Sequence, residues 1–95
     1  MRALVITEHG GPEVLKVEER PDPQPGPGEV RVAVKAAGIN FADLLARQGL
    51  YADAPKPPCV VGYEFAGDVE SVGDGVAGFR PGQRVMGGSR FGGYA

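Results

Sequence analysis

The chain has 95 residues, and its 10 lysines and arginines against 12 aspartates and glutamates give a formal charge of −2. That length holds one small domain, and the near balance of charge leaves no basic stripe to neutralise a phosphate backbone, so nucleic-acid binding is not expected. A single cysteine, Cys59, excludes an internal disulfide, and no apolar run approaches the roughly 20 residues that span a bilayer. A cytoplasmic protein with no transmembrane segment is the expectation.

Sixteen glycines and nine prolines, without a collagen-like period, predict many turns between short strands. Arg2 to Thr7 is rich in β-branched residues and runs into Gly10-Gly11-Pro12, so it reads as a strand closed by a turn. Val14 to Glu19 alternates and should turn Leu15 and Val17 toward a core. Pro21 to Gly28 carries four prolines, which remove backbone donors and fix φ, so this stretch is an extended surface connection. Glu29 to Ala37 has the clearest alternation, with Val30, Val32, Val34 and Ala36 facing one way and Arg31 and Lys35 the other. Asn40 to Gly49 follows as the one good helix. Asn40 or a near neighbour can cap it, Asp43 lies in its first turn, and Gly49 can end it at positive φ. Tyr51 to Pro58 reads as a loop, Glu64 to Val72 as a strand, and Gln83 to Met86 as a short strand after two glycine turns. Many short strands and one short helix define a mainly β domain, a barrel or a sandwich.

Gly73-Asp74-Gly75-Val76-Ala77-Gly78 matches the G-x-G-x-x-G pattern of dinucleotide-binding turns. That turn must open a helix whose amino terminus holds a pyrophosphate, and Pro81-Gly82 would break such a helix in its first turn. No acidic residue follows Asp74 either, so a hairpin turn is expected. One cysteine and one histidine cannot furnish the usual three or four ligands of a zinc site, and no metal is expected. His9 reads as a solvated turn residue and Cys59 as a buried, inert thiol. Glu64 is open between a surface charge and a carboxylate at the floor of a cleft. Asn40, Asp43 and Tyr51 lie within twelve residues; taken singly, Asn40 can be a cap and Tyr51 a packing residue.

Val32 to Asp43 (VAVKAAGINFAD), Arg47-Gln48-Gly49-Leu50-Tyr51, Pro58 to Gly67 (PCVVGYEFAG), Val69 to Gly73, Gly82 to Met86 and Gly92-Gly93-Tyr94-Ala95 together resemble the medium-chain dehydrogenase/reductase superfamily. Within it they are most similar to the zinc-independent quinone-oxidoreductase (zeta-crystallin-like) branch. The resemblance implies a GroES-like, partly open β-barrel over residues 1–95, a substrate-binding domain whose partner Rossmann domain, the holder of NADPH, lies outside this chain. It implies reduction of a quinone or activated enone by hydride transfer, in a parent enzyme that can be a homodimer. Asn40 and Tyr63 stand where the zinc-dependent branch places zinc ligands, which implies chemistry without zinc. By the same resemblance Asn40 is the catalytic residue nearest the nicotinamide, and Phe41 joins it against the cofactor as an apolar wall. Tyr51, Asp43 and Phe41 bind substrate, Asp43 as a supporting acceptor, while Glu64 is structural. Leu44 and Leu45 occupy helix positions where the quinone branch sometimes has a second pocket tyrosine. The isolated chain is expected to be inactive. The alternative is a stand-alone GroES-like binding module without catalysis; a chaperonin cofactor rests on fold analogy alone.

Overall fold

The computed structural model describes the chain from Met1 to Ala95. Five strands form two antiparallel sheets. β1 (Arg2–Ile6) pairs with β2 (Leu15–Glu19) in one, and β3 (Val30–Ala37), β4 (Glu64–Val72) and β5 (Arg84–Gly88) form the other in the order β3-β4-β5. A single α-helix, α1 (Phe41–Gln48), bridges β3 and β4 along the chain. The architecture is mainly β, with open sheets and one short helix, as a partial GroES-like barrel requires.

The core gathers where the β1–β2 ribbon, α1 and the 59–61 segment meet. Ile6, Val14, Ala46, Cys59 and Val61 form one buried cluster, with Leu15, Tyr51, Ala54 and Tyr94 packed on it. Ile6, Val5 and Val61 are fully buried, each contributing roughly 1.5–3 kcal/mol of hydrophobic stabilisation. No ladder joins the two sheets. Short cross-links tie the first sheet to the segments around the second: the Ile6 N–H donates to the Cys59 carbonyl at 2.8 Å and the Cys59 N–H returns the bond at 3.0 Å. The Leu4 N–H donates to the Tyr94 carbonyl at 3.1 Å, and the Tyr94 N–H to the Val61 carbonyl at 3.0 Å. Backbone donors that would be orphaned at open sheet edges are satisfied in this way.

Two expected faces differ from the alternation. Leu15 packs on the core, but Val17 is 65% exposed, because β2 belongs to a two-stranded ribbon whose far end has nothing packed on that face. In β3 the register against β4 shifts between Arg31 and Val32 and again between Val34 and Ala36. These irregularities rotate side chains off the strict two-residue period. Val30 through Val34 are therefore all half-buried, Arg31 included, while Ala36 is exposed. Arg31 Nε lies 2.7 Å from Glu70 Oε2, and its Nη1 donates to the Pro23 carbonyl at 3.1 Å, so this charge is held rather than solvated.

Gly73 to Gly78 is a turn, as expected. Gly75 and Gly78 have φ of 79° and 87°, and no helix follows. The glycine at 73 serves packing, since the Gly73 N–H donates to the Glu29 carbonyl at 2.7 Å and a Cβ there would collide with the Gly26 carbonyl. This turn thus clasps the proline-rich connection instead of a phosphate.

Candidate active site around Asp43

The site begins with how α1 starts. Asn40 is the N-cap, extended at φ −113° and ψ 158°, and the helix carries Asp43 at its third position. The Asp43 carboxylate reaches back to accept the Asn40 N–H at 2.9 Å through Oδ2, the reciprocal half of a capping box. The Asp43 N–H goes to the Asn40 carbonyl at 3.0 Å. The Asn40 carboxamide lies at capping-box distance but closes no cap hydrogen bond, so its amide remains uncommitted. At the other end Gly49 adopts the left-handed conformation, φ 80°, and donates to the Ala46 carbonyl. Arg47 anchors the helix to the turn after β1: its Nε donates to the Gly10 carbonyl at 3.2 Å and its carbonyl accepts the Gly10 N–H at 2.9 Å.

Asp43 is only 6% exposed, an unusual state for a carboxylate, and needs donors to offset its desolvation. The second donor comes from the far end of the sequence, where the Tyr94 hydroxyl donates to Oδ2 at 2.6 Å. Oδ1 is buried without a partner, and so is the Tyr63 hydroxyl. The Tyr51 and Tyr63 rings meet edge to face, their centroids 5.9 Å apart at 71°, the favoured aromatic geometry. Burial pushes the Tyr63 phenol up, with the Tyr51 and Asp43 charges adding to the effect. The result is a corner built from two aromatic rings, one free buried hydroxyl and one carboxylate oxygen.

The structure brings together Asn40, Asp43 and Tyr51, three residues the sequence singled out. Phe41 heads the helix with its ring 73% exposed, beside an exposed Ile39 and Leu44, so these form an apolar surface and not a core face. Glu64 is exposed at the start of β4, which settles it as a surface carboxylate; it covers Gly38, where a Cβ would strike it. His9 is exposed, and Cys59 is buried with its thiol pushed up by desolvation. Tyr94 escaped the sequence reading. It lies within a glycine-rich string, and no local pattern signals a carboxylate partner 51 residues away. Tyr63 was noted only for where it stands, with no sign that its hydroxyl would be buried. A groove of about 580 Å³, lined by the proline-rich connection, β3, Phe65 and Phe91, includes none of these residues and lies apart from the site.

Burial, followed by the hydrogen bond to Asp43, raises the Tyr94 phenol well above its ordinary value. The native state therefore keeps a proton that the unfolded chain releases near pH 10. The stabilisation from Tyr94 is complete below that pH and is lost as pH rises through the folded-state value. In an alkaline titration followed by phenolate absorbance, Tyr63 and Tyr94 should both ionise late, Tyr94 the later of the two. Tyr94→Phe should remove that later step. Ionisation of Tyr63 and Tyr94 near pH 10 in the folded protein would show that neither phenol is held as described.

The domain class defined by this fold is also found by comparison. The alcohol dehydrogenase GroES-like domain family matches residues 26–93, and the chain belongs to that family. Its relatives are quinone oxidoreductases and synaptic-vesicle VAT-1 proteins of the medium-chain dehydrogenase/reductase superfamily. The synaptic vesicle membrane protein VAT-1 homolog of Rattus norvegicus is 49% identical over 88 residues, which cover 90% of this chain and 22% of the relative. The crystal structure of the human VAT-1 homolog-like protein superposes with a TM-score of 0.96 at 41% identity, covering 99% of this chain and 30% of that one. The Escherichia coli quinone oxidoreductase complexed with NADPH superposes at 0.92, also at 41% identity, over 100% and 29% respectively. The chain thus spans less than a third of the length of these relatives. No helix is long and apolar enough to cross a membrane.

Proposed function

We propose that this chain is the substrate-binding domain of an NADPH-dependent oxidoreductase that reduces quinones or activated enones by hydride transfer. The observation that carries the reading is the Tyr51–Tyr63 corner, with its unpartnered buried hydroxyl, built around the same Asp43 that holds Asn40. NADPH, when bound, would supply the hydride for an electron-poor carbon of the acceptor and leave as NADP+, the acceptor oxygen taking its proton from solvent. Tyr51 stacks on the acceptor ring, with Tyr63 set edge to face against it. Asn40 offers its uncommitted carboxamide to the nicotinamide, and Phe41 shields that face from water. Asp43, buried beneath them, organises its neighbours through Oδ2.

This division of labour follows from what the residues fit. The nicotinamide and acceptor ends have partners here, but the dinucleotide phosphates do not, because Gly73–Gly78 is a turn packed on a proline-rich loop. A Rossmann domain outside residues 1–95 supplies the phosphate site and docks on the exposed Ile39, Phe41 and Leu44. Asn40 and Tyr63 at the zinc-branch ligand positions, with no three metal-ligating side chains converging on them, support reduction without zinc. A buried free thiol suits a cytoplasmic setting.

The test is NADPH oxidation with a naphthoquinone and with an enone. The intact protein should turn over at least one acceptor, and the 95-residue chain alone neither. Steady turnover by the chain alone would sink the division between two domains. A specific dimer of the chain, with no turnover by the intact protein, would favour the non-catalytic module.

A further inference from the structure

We infer that Tyr94 is a positioning residue, which through Asp43 fixes Asn40 and hence the direction of its carboxamide. The inference rests on the proposed reduction for its functional consequence, but its structural part stands on geometry alone. Asp43 Oδ2 is shared by two donors, the Tyr94 hydroxyl at 2.6 Å and the Asn40 N–H at 2.9 Å. One oxygen therefore couples the helix start to the 93–95 segment. Tyr94 is itself pinned on both backbone atoms, its N–H to the Val61 carbonyl and its carbonyl to the Leu4 N–H. Its ring also packs on the core cluster.

The direction of the coupling follows from which partner is rigid. Tyr94 is fixed by strand-like bonds to two separate segments, whereas α1 has eight residues and an exposed apolar flank. Isolated helices of that length are marginal, so its first turn takes its position from tertiary contacts. A carboxylate with only the Asn40 N–H could rotate about its own side chain and carry the cap with it. With Tyr94 as a second donor the carboxylate plane is set, and the Asn40 backbone with it. Near-attack geometry is sensitive to displacements of about 1 Å, so a cap that wanders lowers turnover without weakening acceptor binding.

Tyr94→Phe keeps the ring and removes the hydroxyl. Amide exchange at Asn40 should quicken by about fivefold or more, the equivalent of one lost hydrogen bond, while β3 and β4 keep their protection. In the intact enzyme kcat should fall about tenfold with the acceptor KM unchanged. Thr7→Val removes a hydrogen bond of similar length, Thr7 Oγ1 to the Val14 carbonyl at 2.9 Å, away from the site. It should move neither readout. Should Tyr94→Phe unfold the domain, Asp43→Asn should give the same pattern in smaller measure, because it keeps an acceptor for Asn40 while weakening the link to Tyr94. Unchanged Asn40 exchange in the folded variant overturns the inference, and so does quicker exchange with unchanged kcat. If the wild-type enzyme reduces no quinone or enone, the functional proposal fails, while the exchange measurement still decides whether Tyr94 holds the cap.

Discussion

Asp43→Ala should lower the melting temperature by about 15 °C, on the scale expected for a domain of this size, from a loss of about 3 kcal/mol. The substitution removes the acceptor for two donors, the Tyr94 hydroxyl and the Asn40 N–H, and both would remain in a site that admits almost no water. An unsatisfied buried donor costs its full desolvation, which exceeds the net gain from the bond it once made. The lost reach-back bond at the helix start adds to the effect. Circular dichroism at neutral pH reads this directly. A change of only a few degrees would mean that water enters to replace the carboxylate, and that the 93–95 segment is held by its backbone bonds alone. Asp43→Asn should cost much less, because an amide oxygen can still accept from one of the two.

On the proposed reduction, Asn40→Ala in the intact protein should reduce kcat about a hundredfold, the scale for losing one oriented donor next to the reacting centre, with the acceptor KM nearly unchanged. The same variant should scarcely alter stability. An N-cap asparagine usually stabilises through its side chain, but here the carboxamide closes no cap hydrogen bond and Asp43 holds the backbone instead. That separation is diagnostic. A large drop in melting temperature with little kinetic effect would make Asn40 an ordinary cap. A kinetic loss without a stability loss marks the carboxamide as the group that meets the cofactor. Asn40→Asp, equal in shape but without the N–H donors, should behave like alanine in turnover.

Features of the fold that depend on neighbours in sequence were legible. The alternation of residues 29–37 located β3, Gly49 located the end of α1, and Pro81-Gly82 separated a turn from a nucleotide cradle. The inward faces were less so, because the register shifts in β3 and the uncovered end of β2 are set by strands distant along the chain. The site divides in the same way. Asn40, Asp43 and Tyr51 fall close together in sequence and could be suspected as a group. Tyr63 and Tyr94 join them only once β4 and the 93–95 segment are in place, and a tyrosine among glycines carries no mark of the carboxylate it will meet. The exposure of Phe41 was not legible in the local pattern, since an apolar residue heading an amphipathic helix reads as core.

The cross-links made by Tyr94 also set a schedule for biosynthesis. Leu4, Asp43 and Val61 are all synthesised well before residue 94, yet each needs that residue to complete a hydrogen bond. The first strand pair and the helix can form as they emerge, at the usual 5–20 residues per second or so. Arg47 can tie the helix to Gly10 early, but the bonds to Leu4 and Asp43 wait until Tyr94 clears the ribosome. Until then Asp43 is a carboxylate short of one donor. A nascent chain stalled before residue 94 should therefore expose the Ile6–Val61 core to chaperones, and one stalled safely beyond it should not.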